Sequence, residues 1–236
     1  MNSILKNLKT ELSLELQNIL SYWMKNTLDE KNGGFVGQID CHNNIHNDAE
    51  KGSVLNARLL WTFSAAYKIS KDKEHLDTAK RAFEYIAEHF YDTEYGGIFW
   101  SIHADGTPKD TKNQIYALSF VIYGLSEYFS VTQDDKALQL AIGLFNKIQE
   151  HSYDAAKGGY LEAFTRDWQP IEDLRLSEKD ANEKKTMNTH LHIVEGFANL
   201  YTVWKDESLQ KAIIELLETI EKYFITCYDS QSKCIH

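Results

Sequence analysis

The sequence is poor in proline and cysteine. Its 236 residues include only two prolines and three cysteines. Few prolines leave long stretches free to be helical, because proline interrupts helices and central strands alike. The three cysteines, Cys41, Cys227 and Cys234, are too few and too scattered for a disulfide framework. The composition therefore favours a helical globular protein over a small disulfide-bonded scaffold.

Long apolar runs and excess positive charge are also missing. No run approaches the ~20 apolar residues that a membrane-spanning helix needs. The N-terminal stretch 1–6 lacks the apolar core of a signal peptide. The formal net charge of −10 disfavours binding to nucleic acid phosphates. We therefore expect a cytoplasmic protein whose partner is neither a membrane nor a nucleic acid.

What the sequence does contain is a recurring glycine pair, spaced about sixty residues apart. The pairs are Gly33-Gly34, Gly96-Gly97 and Gly158-Gly159, and Tyr228-Asp229 repeats the dipeptide that precedes the second and third pairs. Each interval holds two amphipathic helical patterns. Because a single helical hairpin cannot bury its own apolar face, such a period predicts an array of helix pairs. The sequence predicts three repeats and the beginning of a fourth within a larger helical toroid.

Apolar residues spaced three and four apart predict seven helices. The predicted ranges are 4–27, 51–69, 74–90, 112–129, 134–150, 186–204 and 208–225. The apolar stripe of the first helix consists of Leu8, Leu12, Leu16, Ile19, Leu20 and Trp23. No segment has the composition of a linker, so we predict that residues 1–236 form a single domain.

Two kinds of segment join the predicted helices. After the first two glycine pairs, apolar and polar residues alternate in 34–40 and 97–102, which predicts short β-hairpins on one rim. The longest non-helical stretch is 166–185, which is rich in charged residues. Its simplest interpretation is a solvated surface loop, although loops of this length are often functional.

Seven helices do not close a toroid of paired helices. An open arc exposes far more apolar surface than the few hundred Å² that a monomer normally shows. We therefore expect that the chain is part of a longer protein or that a partner covers the gap. The break within the fourth repeat favours the first explanation.

The candidates for chemistry lie near the N-terminal ends of the first helix of each repeat. Asn188 and His192 are four residues apart and therefore share one helix face. Arg58 interrupts an otherwise apolar run in the second helix, and Tyr116 lies early in the fourth. In a toroid these would be inner helices, whose N-terminal halves face the same mouth of the central cavity.

Each candidate also has a purely structural interpretation. Arg58 is equally well explained as an ion-pair partner between helices, since buried arginine is usually paired. A single histidine on a helix, such as His192, is more often a hydrogen-bonded core residue than a functional one. Tyr116 is most simply a core residue.

A metal site is disfavoured. Cys41 and His42, with His46 nearby, are ligand types that bind zinc. They lie in a loop without residues that would complete a ligand set. We therefore expect no metal there.

Two helical segments resemble the signatures of the cellobiose 2-epimerases, a branch of the N-acylglucosamine 2-epimerase superfamily. The first is 51–67, which contains Asn56-Ala57-Arg58, and the second is Met187-Asn188-Thr189-His190-Leu191-His192 with the following Glu195. Segments 33–40, 116–128 and 175–180 fit the same pattern, so the resemblance covers essentially the whole chain. It implies an all-α fold, the (α/α)6 barrel of twelve main helices, of which this chain supplies about the first seven.

The resemblance also implies a reaction and roles for five residues. The family epimerises C2 of the reducing-end sugar in β-1,4-linked disaccharides such as cellobiose, through ring opening and a cis-enediolate, and needs no cofactor. By resemblance, Arg58 and His192 bind and stabilise the reacting end. Tyr116 and Asn188 would hold substrate hydroxyls. Asp180, in the long loop, would contact the second sugar.

One part of the family's machinery is not in this sequence. The two histidines that transfer protons in the family lie on later helices, beyond His236. We therefore expect the 236-residue chain alone to be inactive, although the longer protein would be an epimerase.

Other functions remain open. The substrate of an epimerase of this kind is also compatible with mannobiose, an N-acylglucosamine or a monosaccharide. A glycoside hydrolase would need two carboxylates that flank the scissile bond. The candidate pairs, Asp48 with Glu50 and Asp92 with Glu94, sit in loops without an evident partner across the barrel. A non-enzymatic binding role is the third alternative, and the oligomeric state is left open.

Overall fold

The computed structural model describes residues 3–225 and contains seven α-helices in that range. Their bounds are α1 Ser3–Asn26, α2 Ser53–Ser70, α3 Lys73–Tyr85, α4 Ile115–Thr132, α5 Asp135–His151, α6 Met187–Val203 and α7 Glu207–Tyr223. A π-helical turn, Ile86–Phe90, continues α3. All seven predicted helices are thus confirmed. The predicted fourth repeat at Tyr228-Asp229, like Cys227 and Cys234, lies outside the described residues.

The largest error in the predicted bounds concerns α4. The sequence pattern predicted a start near residue 112, whereas the helix begins at Ile115. Residues Asn113 and Gln114 instead form a short strand. Backbone pairing with a later part of the chain therefore overrides the helical pattern there, which local sequence does not reveal.

The helices form two layers. The inner helices α2, α4 and α6 pack side by side, while α3, α5 and α7 each pack against the inner helix that precedes them. Two glycines let the inner backbones approach closely. A Cβ on Gly124 would lie 2.7 Å from the carbonyl oxygen of Ala57, and one on Gly196 would lie 2.6 Å from that of Ser119. Any side chain at either position would push neighbouring inner helices apart.

Short strands lie along one rim of the arc. Two of them fall in the predicted segment 97–102, whereas the predicted hairpin at 34–40 is reduced to the single bridges Leu28 to Phe35 and Ile39 to Ile45. The strands are β1 Lys51–Gly52, β2 Tyr91–Asp92, β3 Gly97–Ile98, β4 Ser101–Ile102, β5 Pro108–Asp110, β6 Asn113–Gln114 and β7 Ala163–Phe164. They pair antiparallel in the orders β1-β4-β5, β2-β3 and β6-β7. The hairpin across the second glycine pair is β2-β3. The other two glycine pairs are bracketed by the single bridges Leu28 to Phe35 and Tyr153 to Tyr160.

The glycine pairs are required by their surroundings. Gly34 has a φ of 61°, and a Cβ there would lie 2.5 Å from the ring of Tyr85. Gly159 has a φ of 74°, and a Cβ there would lie 2.6 Å from Nε2 of His190. Left-handed backbone and lack of space both exclude larger residues.

A lysine fastens the glycine turn of the first and third repeats to the inner helix of the same repeat. Lys51 Nζ lies 2.8 Å from Oδ2 of Asp29, and Lys185 Nζ lies 2.7 Å from Oδ2 of Asp154. Each lysine also donates to the carbonyl of the first glycine of its turn. The second repeat has Asn113 in this place, whose amide donates to the carbonyls of residues 165 and 166.

The first backbone N–H of two inner helices donates a hydrogen bond to a carbonyl of the next repeat. The N–H of Ser53, the first residue of α2, donates to the carbonyl of Trp100 at 3.1 Å. The N–H of Ile115, the first residue of α4, donates to the carbonyl of Glu162 at 3.0 Å. The starts of these inner helices are therefore held at the same rim as the strands.

The first helix is covered only at its C-terminal end. Leu20 is buried and Trp23 packs against the core, but residues 4–19 of α1 are all exposed. Leu8 and Leu12, which belong to the predicted stripe, are 47% and 62% exposed. The predicted apolar stripe therefore faces solvent over most of its length. No helix in 3–225 is long and apolar enough to cross a membrane.

Candidate active site

Three of the candidate side chains, Arg58, Tyr116 and His192, meet on the inner face of the arc. Arg58, Phe120 and His192 occupy the same position relative to the first residue of α2, α4 and α6. Because the three helices start at one rim, these positions lie at the same depth. The repeat architecture thus produces a layer of one arginine, one phenylalanine and one histidine.

Phe120 lies between the two polar side chains. The guanidinium carbon of Arg58 lies 4.5 Å from the centre of the Phe120 ring, a cation–π contact. The His192 ring centre lies 4.4 Å from the same ring. Tyr116 contacts His192 edge-on, with ring centres 4.8 Å apart. Arg58, Tyr116 and His192 are therefore brought together around one largely buried phenylalanine.

Arg58 makes no ion pair with any residue in 3–225. Its side chain is exposed to the cavity rather than buried between helices. The ion-pair interpretation of Arg58 therefore finds no support in the described part of the chain. A guanidinium presents donors in a rigid plane and stays charged at any physiological pH, so it suits oxygen atoms that gain negative charge.

His192 is half-buried and has one hydrogen-bond partner. Its Nδ1 lies 2.6 Å from Oε2 of Glu195, one turn further along α6. Its Nε2 makes no hydrogen bond with any residue in 3–225. The neighbouring His190 differs, because it is fully buried and both of its ring nitrogens are used within the protein.

A cavity of about 310 Å³ opens at this layer. It is lined by Arg58, Trp61, Thr62, Phe120, Tyr123, His192 and Glu195. The rings of Trp61 and Tyr123 stack with centres 5.2 Å apart and planes 12° apart, one turn deeper than Arg58. The volume is at the lower end of the range for small-molecule pockets.

The other two candidates, Asn188 and Asp180, line a second cavity of about 220 Å³. Asn188 lies on α6 one turn before His192, so α6 separates the two cavities by a single helical turn. The carboxylate of Asp180 is exposed and accepts hydrogen bonds from the N–H and the hydroxyl of Ser177, both at 2.8 Å. The structure thus places Asn188 and Asp180 together, but apart from Arg58.

The charge-rich loop is fastened to the rim rather than simply solvated. The side-chain amide of Gln114, the residue before α4, donates to the carbonyls of Leu174 and Arg175 at 3.3 and 2.9 Å. Within the loop, Asn182 accepts from the N–H of Leu174 at 2.9 Å. These bonds hold the segment that carries Asp180 against the start of α4.

Arg166 anchors the beginning of the same loop. Its guanidinium donates to both carboxylate oxygens of Asp92, at 2.6 and 3.0 Å, and to Glu94 at 2.9 Å. Burial pushes the pKa of Asp92 upward, but the hydrogen bonds from Arg166 prevail and hold this pKa below its ordinary value. Asp92 and Glu94 are therefore occupied by one arginine, which argues against this pair as hydrolytic carboxylates.

Glu162 is a buried acid whose carboxylate binds the start of α6. It is 2% exposed and lines the second cavity. Its carboxylate accepts the N–H of Thr186 and the hydroxyl of Thr189 at the start of α6. Burial raises the pKa of Glu162 above its ordinary value, although these hydrogen bonds act against the rise.

The loop that holds Cys41, His42 and His46 does not assemble a metal site. No three histidine, cysteine or carboxylate side chains come together as potential ligands anywhere in residues 3–225. Cys41 is an exposed free thiol, and His46 lies 3.5 Å from Asp40 instead.

Comparison with known proteins places the chain in a family. The profile of the N-acylglucosamine 2-epimerase (GlcNAc 2-epimerase) family matches residues 33–233. The chain belongs to the N-acylglucosamine 2-epimerase family.

Similar members of this family are cellobiose 2-epimerases. The protein of that name from Bacteroides fragilis is 53% identical over 211 residues, which are 89% of this chain and 54% of the relative. The one from Dictyoglomus turgidum is 34% identical over 98% of this chain and 58% of the relative. The solved cellobiose 2-epimerase of Spirochaeta thermophila superposes with a TM-score of 0.87 at 34% identity, covering 94% of this chain and 55% of that one. The chain thus spans about half the length of these N-acylglucosamine 2-epimerase family members.

The match to these (α/α)6-barrel enzymes confirms the predicted fold class and the predicted family. The seven helices form an arc of that barrel, with α2, α4 and α6 on its inner wall. The roles assigned to the site residues from the sequence stay predictions. The structure gives the positions of their side chains, which are Arg58, Tyr116, Asp180, Asn188 and His192.

Sequence reasoning missed Phe120 and Glu162 in this N-acylglucosamine 2-epimerase family member. Phe120 has a signal that was available, since it stands at the same place in its helix as Arg58 and His192 in theirs. Glu162 has none, because a carboxylate in a loop gives no sign that it will be buried against a distant helix start.

Proposed function

We propose that this chain is the N-terminal half of a cofactor-independent sugar 2-epimerase that acts on the reducing-end unit of β-1,4-linked disaccharides such as cellobiose. The observation that carries the proposal is the layer of Arg58, Phe120 and His192, which aims two polar groups into one small cavity. The names of similar relatives support the same reaction. An exposed free thiol at Cys41 suits a reducing compartment, so we place the enzyme in the cytoplasm.

The chemistry explains why such groups are needed. After the sugar ring opens, the proton on C2 lies next to an aldehyde, and its removal gives a cis-enediolate. Negative charge then develops on the oxygens at C1 and C2. Reprotonation from the opposite face, after rotation about the C2–C3 bond, gives the epimer.

Arg58 suits the developing charge. Its guanidinium is permanently charged, has no carboxylate partner within 3–225, and is held in place by Phe120. A preorganised donor of this kind acts most strongly where charge appears in the transition state. We assign Arg58 to the enediolate oxygens and His192 to a neighbouring hydroxyl or oxygen of the reacting unit.

The remaining candidates suit substrate binding. Tyr116 lies at the top of the layer, against His192. Asn188 and Asp180 line the neighbouring cavity, one helical turn nearer the rim. A disaccharide whose reducing unit lies against Arg58 would reach that cavity with its second unit. Proton transfer itself belongs to groups outside this chain, so the isolated chain is expected to be inactive.

Proton NMR of cellobiose in D2O tests the proposal, with this chain and the longer protein in parallel. We expect glucosyl-mannose with deuterium at C2 from the longer protein only. Turnover by the short chain would contradict the assignment of proton transfer to the missing half. Two monosaccharides as products would indicate hydrolysis, and no reaction from either protein would exclude cellobiose and turn the search to mannobiose, N-acylglucosamine or monosaccharides.

A further inference from the structure

Glu195 is a carboxylate of the cavity to which the proposed reaction gives no role. It lies one turn after His192 on α6 and lines the same cavity. Its Oε2 is 2.6 Å from Nδ1 of His192, a short charge-assisted hydrogen bond. Within 3–225, no other side chain forms a hydrogen bond with either residue.

We propose that Glu195 is a positioning residue that holds His192 in the tautomer protonated at Nδ1. The neutral ring then presents Nε2 to the substrate as a hydrogen-bond acceptor. The proposal rests on the epimerase function proposed above, and it specifies what His192 can do in that reaction.

The direction of the hydrogen bond follows from the chemistry of the two groups. A neutral imidazole carries its proton on one nitrogen and a lone pair on the other. An ionised carboxylate only accepts, so the proton between Nδ1 and Oε2 belongs to His192. The partner of one ring nitrogen thereby decides the state of the other, as it does for metal-ligating histidines.

Within 3–225, no lysine or arginine forms an ion pair with Glu195 and competes with His192 for it. Tyr123 lies on the same wall of the cavity, and burial raises its pKa, with the charges of Glu195 and Glu127 adding to the rise. Glu195 is itself exposed to solvent. Arg58 lies against the Phe120 ring and makes no ion pair with Glu195.

Arg58 and His192 then differ in hydrogen-bonding character. Arg58 can only donate hydrogen bonds. Neutral His192, with its proton on Nδ1, can only accept at Nε2, so a sugar hydroxyl that meets it must donate. Only the imidazolium form of His192 donates at Nε2. Arg58 and neutral His192 therefore fix two substrate oxygens with opposite hydrogen-bond polarity.

His190 supplies an internal reference in the same helix. Its Nδ1 lies 2.7 Å from the carbonyl oxygen of Thr186, and its Nε2 lies 3.0 Å from the backbone nitrogen of Tyr160. A carbonyl only accepts and a backbone N–H only donates. His190 must therefore be protonated at Nδ1, whatever happens at Glu195.

Nitrogen-15 NMR of the histidine-labelled 236-residue chain tests the proposal. Two-bond correlations between ring protons and nitrogens are recorded well above the ordinary histidine pKa of about 6.5, where the rings are neutral. The His192 signals are assigned from the variant His192→Asn. We expect His192 to show the same Nδ1–H pattern as His190.

Three variants separate the hydrogen bond from other effects. Glu195→Gln keeps an acceptor oxygen and should keep the Nδ1–H pattern. Glu195→Leu removes the acceptor and should move His192 towards the Nε2–H tautomer, with the melting temperature unchanged. Glu127→Gln removes a nearby charge and the ion pair with Lys68 without touching His192, and it should leave the His192 tautomer unchanged. In the longer protein, loss of such a partner should lower kcat by about 10- to 100-fold in Glu195→Leu, and less in Glu195→Gln.

The outcomes are distinct. An Nε2–H pattern in the wild-type chain, or an unchanged Nδ1–H pattern in Glu195→Leu, would overturn the positioning role. The expected tautomers together with a longer protein that does not epimerise cellobiose would uphold the role of Glu195 and reject the proposed substrate.

Discussion

The carboxylate of Glu162 accepts the backbone N–H of Thr186 at 2.6 Å. Its other oxygen accepts the hydroxyl of Thr189, and its own carbonyl accepts the N–H of Ile115. One residue therefore ties together the starts of α4 and α6. These are the helices that bring Tyr116 and His192 into contact.

Removal of the Glu162 carboxylate should loosen that junction. Glu162→Ala leaves the half-buried N–H of Thr186 and the buried hydroxyl of Thr189 without their partner. Hydrogen bonds to charged groups contribute roughly 1.5–3 kcal/mol each. We expect the free energy of unfolding to fall by about 2 kcal/mol, because relief of a buried charge offsets part of the loss. Urea titration measures it. Glu178→Ala, in an exposed part of the loop, is the control, and an equal loss there would contradict the assignment.

Two buried acids should respond to pH in opposite directions. Burial raises the pKa of Glu162 above 4.5, so its contribution to stability is full below that value and declines as the pH rises through the folded-state pKa. Burial also acts on Asp92, but Arg166 lowers its pKa below 3.8, so its contribution is present above that value and declines as the pH falls.

Unfolding midpoints from about pH 2 to pH 8 test these signs, because the Asp92 contribution declines only below pH 3.8. Relative to Glu162→Gln, the wild-type chain should be most stable at the acid end. Relative to Asp92→Asn, it should be most stable at the neutral end. The same trend with both variants would show that one of the two pKa directions is wrong.

The sequence predicted the helices and the inner face because both depend on periodic signals. Repeated glycine pairs and apolar spacing locate α2, α4 and α6, and a polar residue such as Arg58 or His192 in an apolar run is visible without coordinates. The Arg58–Phe120 contact is different, since it depends on the relative height of two helices. That height is set by hydrogen bonds such as Ile115 to Glu162, which join residues far apart in the chain.

Substitutions at Arg58 and at Phe120 should differ in their effects on activity and on stability. Phe120 is 6% exposed, and phenylalanine to alanine changes in a core cost about 3–5 kcal/mol. Arg58 is exposed, and its one polar interaction with residues 3–225 is the cation–π contact, which contributes about 0.5–1 kcal/mol. We expect Arg58→Ala to spare stability but abolish epimerisation in the longer protein, with Phe120→Ala lowering both. Chemical denaturation measures the free energy of unfolding, and NMR measures the rate of epimerisation. A large loss of stability in Arg58→Ala would indicate a structural role for Arg58.

The exposed stripe of α1 should make the 236-residue chain self-associate. Leu8, Leu12 and Leu16 are 47%, 62% and 50% exposed on one side of the helix. We expect the double variant Leu8→Glu/Leu12→Glu to shift sedimentation towards monomer. Leu14→Glu, on the opposite side and 56% exposed, is the matched control. If both changes act equally, the stripe is not the contact surface.

The Arg166 anchor should protect the long loop from proteolysis. Its bonds to Asp92 join the loop to the second repeat, whereas the Arg175–Asp173 pair is exposed and local. We expect Arg166→Gln to speed cleavage of the loop by a glutamate-specific protease, while Asp173→Asn leaves the rate near wild type. Equal rates in Arg166→Gln and wild type would remove Arg166 from its anchoring role.

The hydrogen bonds between helix starts and the carbonyls of the next repeat have a consequence for folding during synthesis on the ribosome. Ser53 receives its partner from Trp100 and Ile115 receives its partner from Glu162, each 47 residues later in the chain. The first N–H of α2 and of α4 therefore has no protein partner until the following repeat has emerged. During translation, each of these inner helices should therefore be fixed in place only after the following repeat has been made. The most recently synthesised repeat should have the fewest of its native hydrogen bonds.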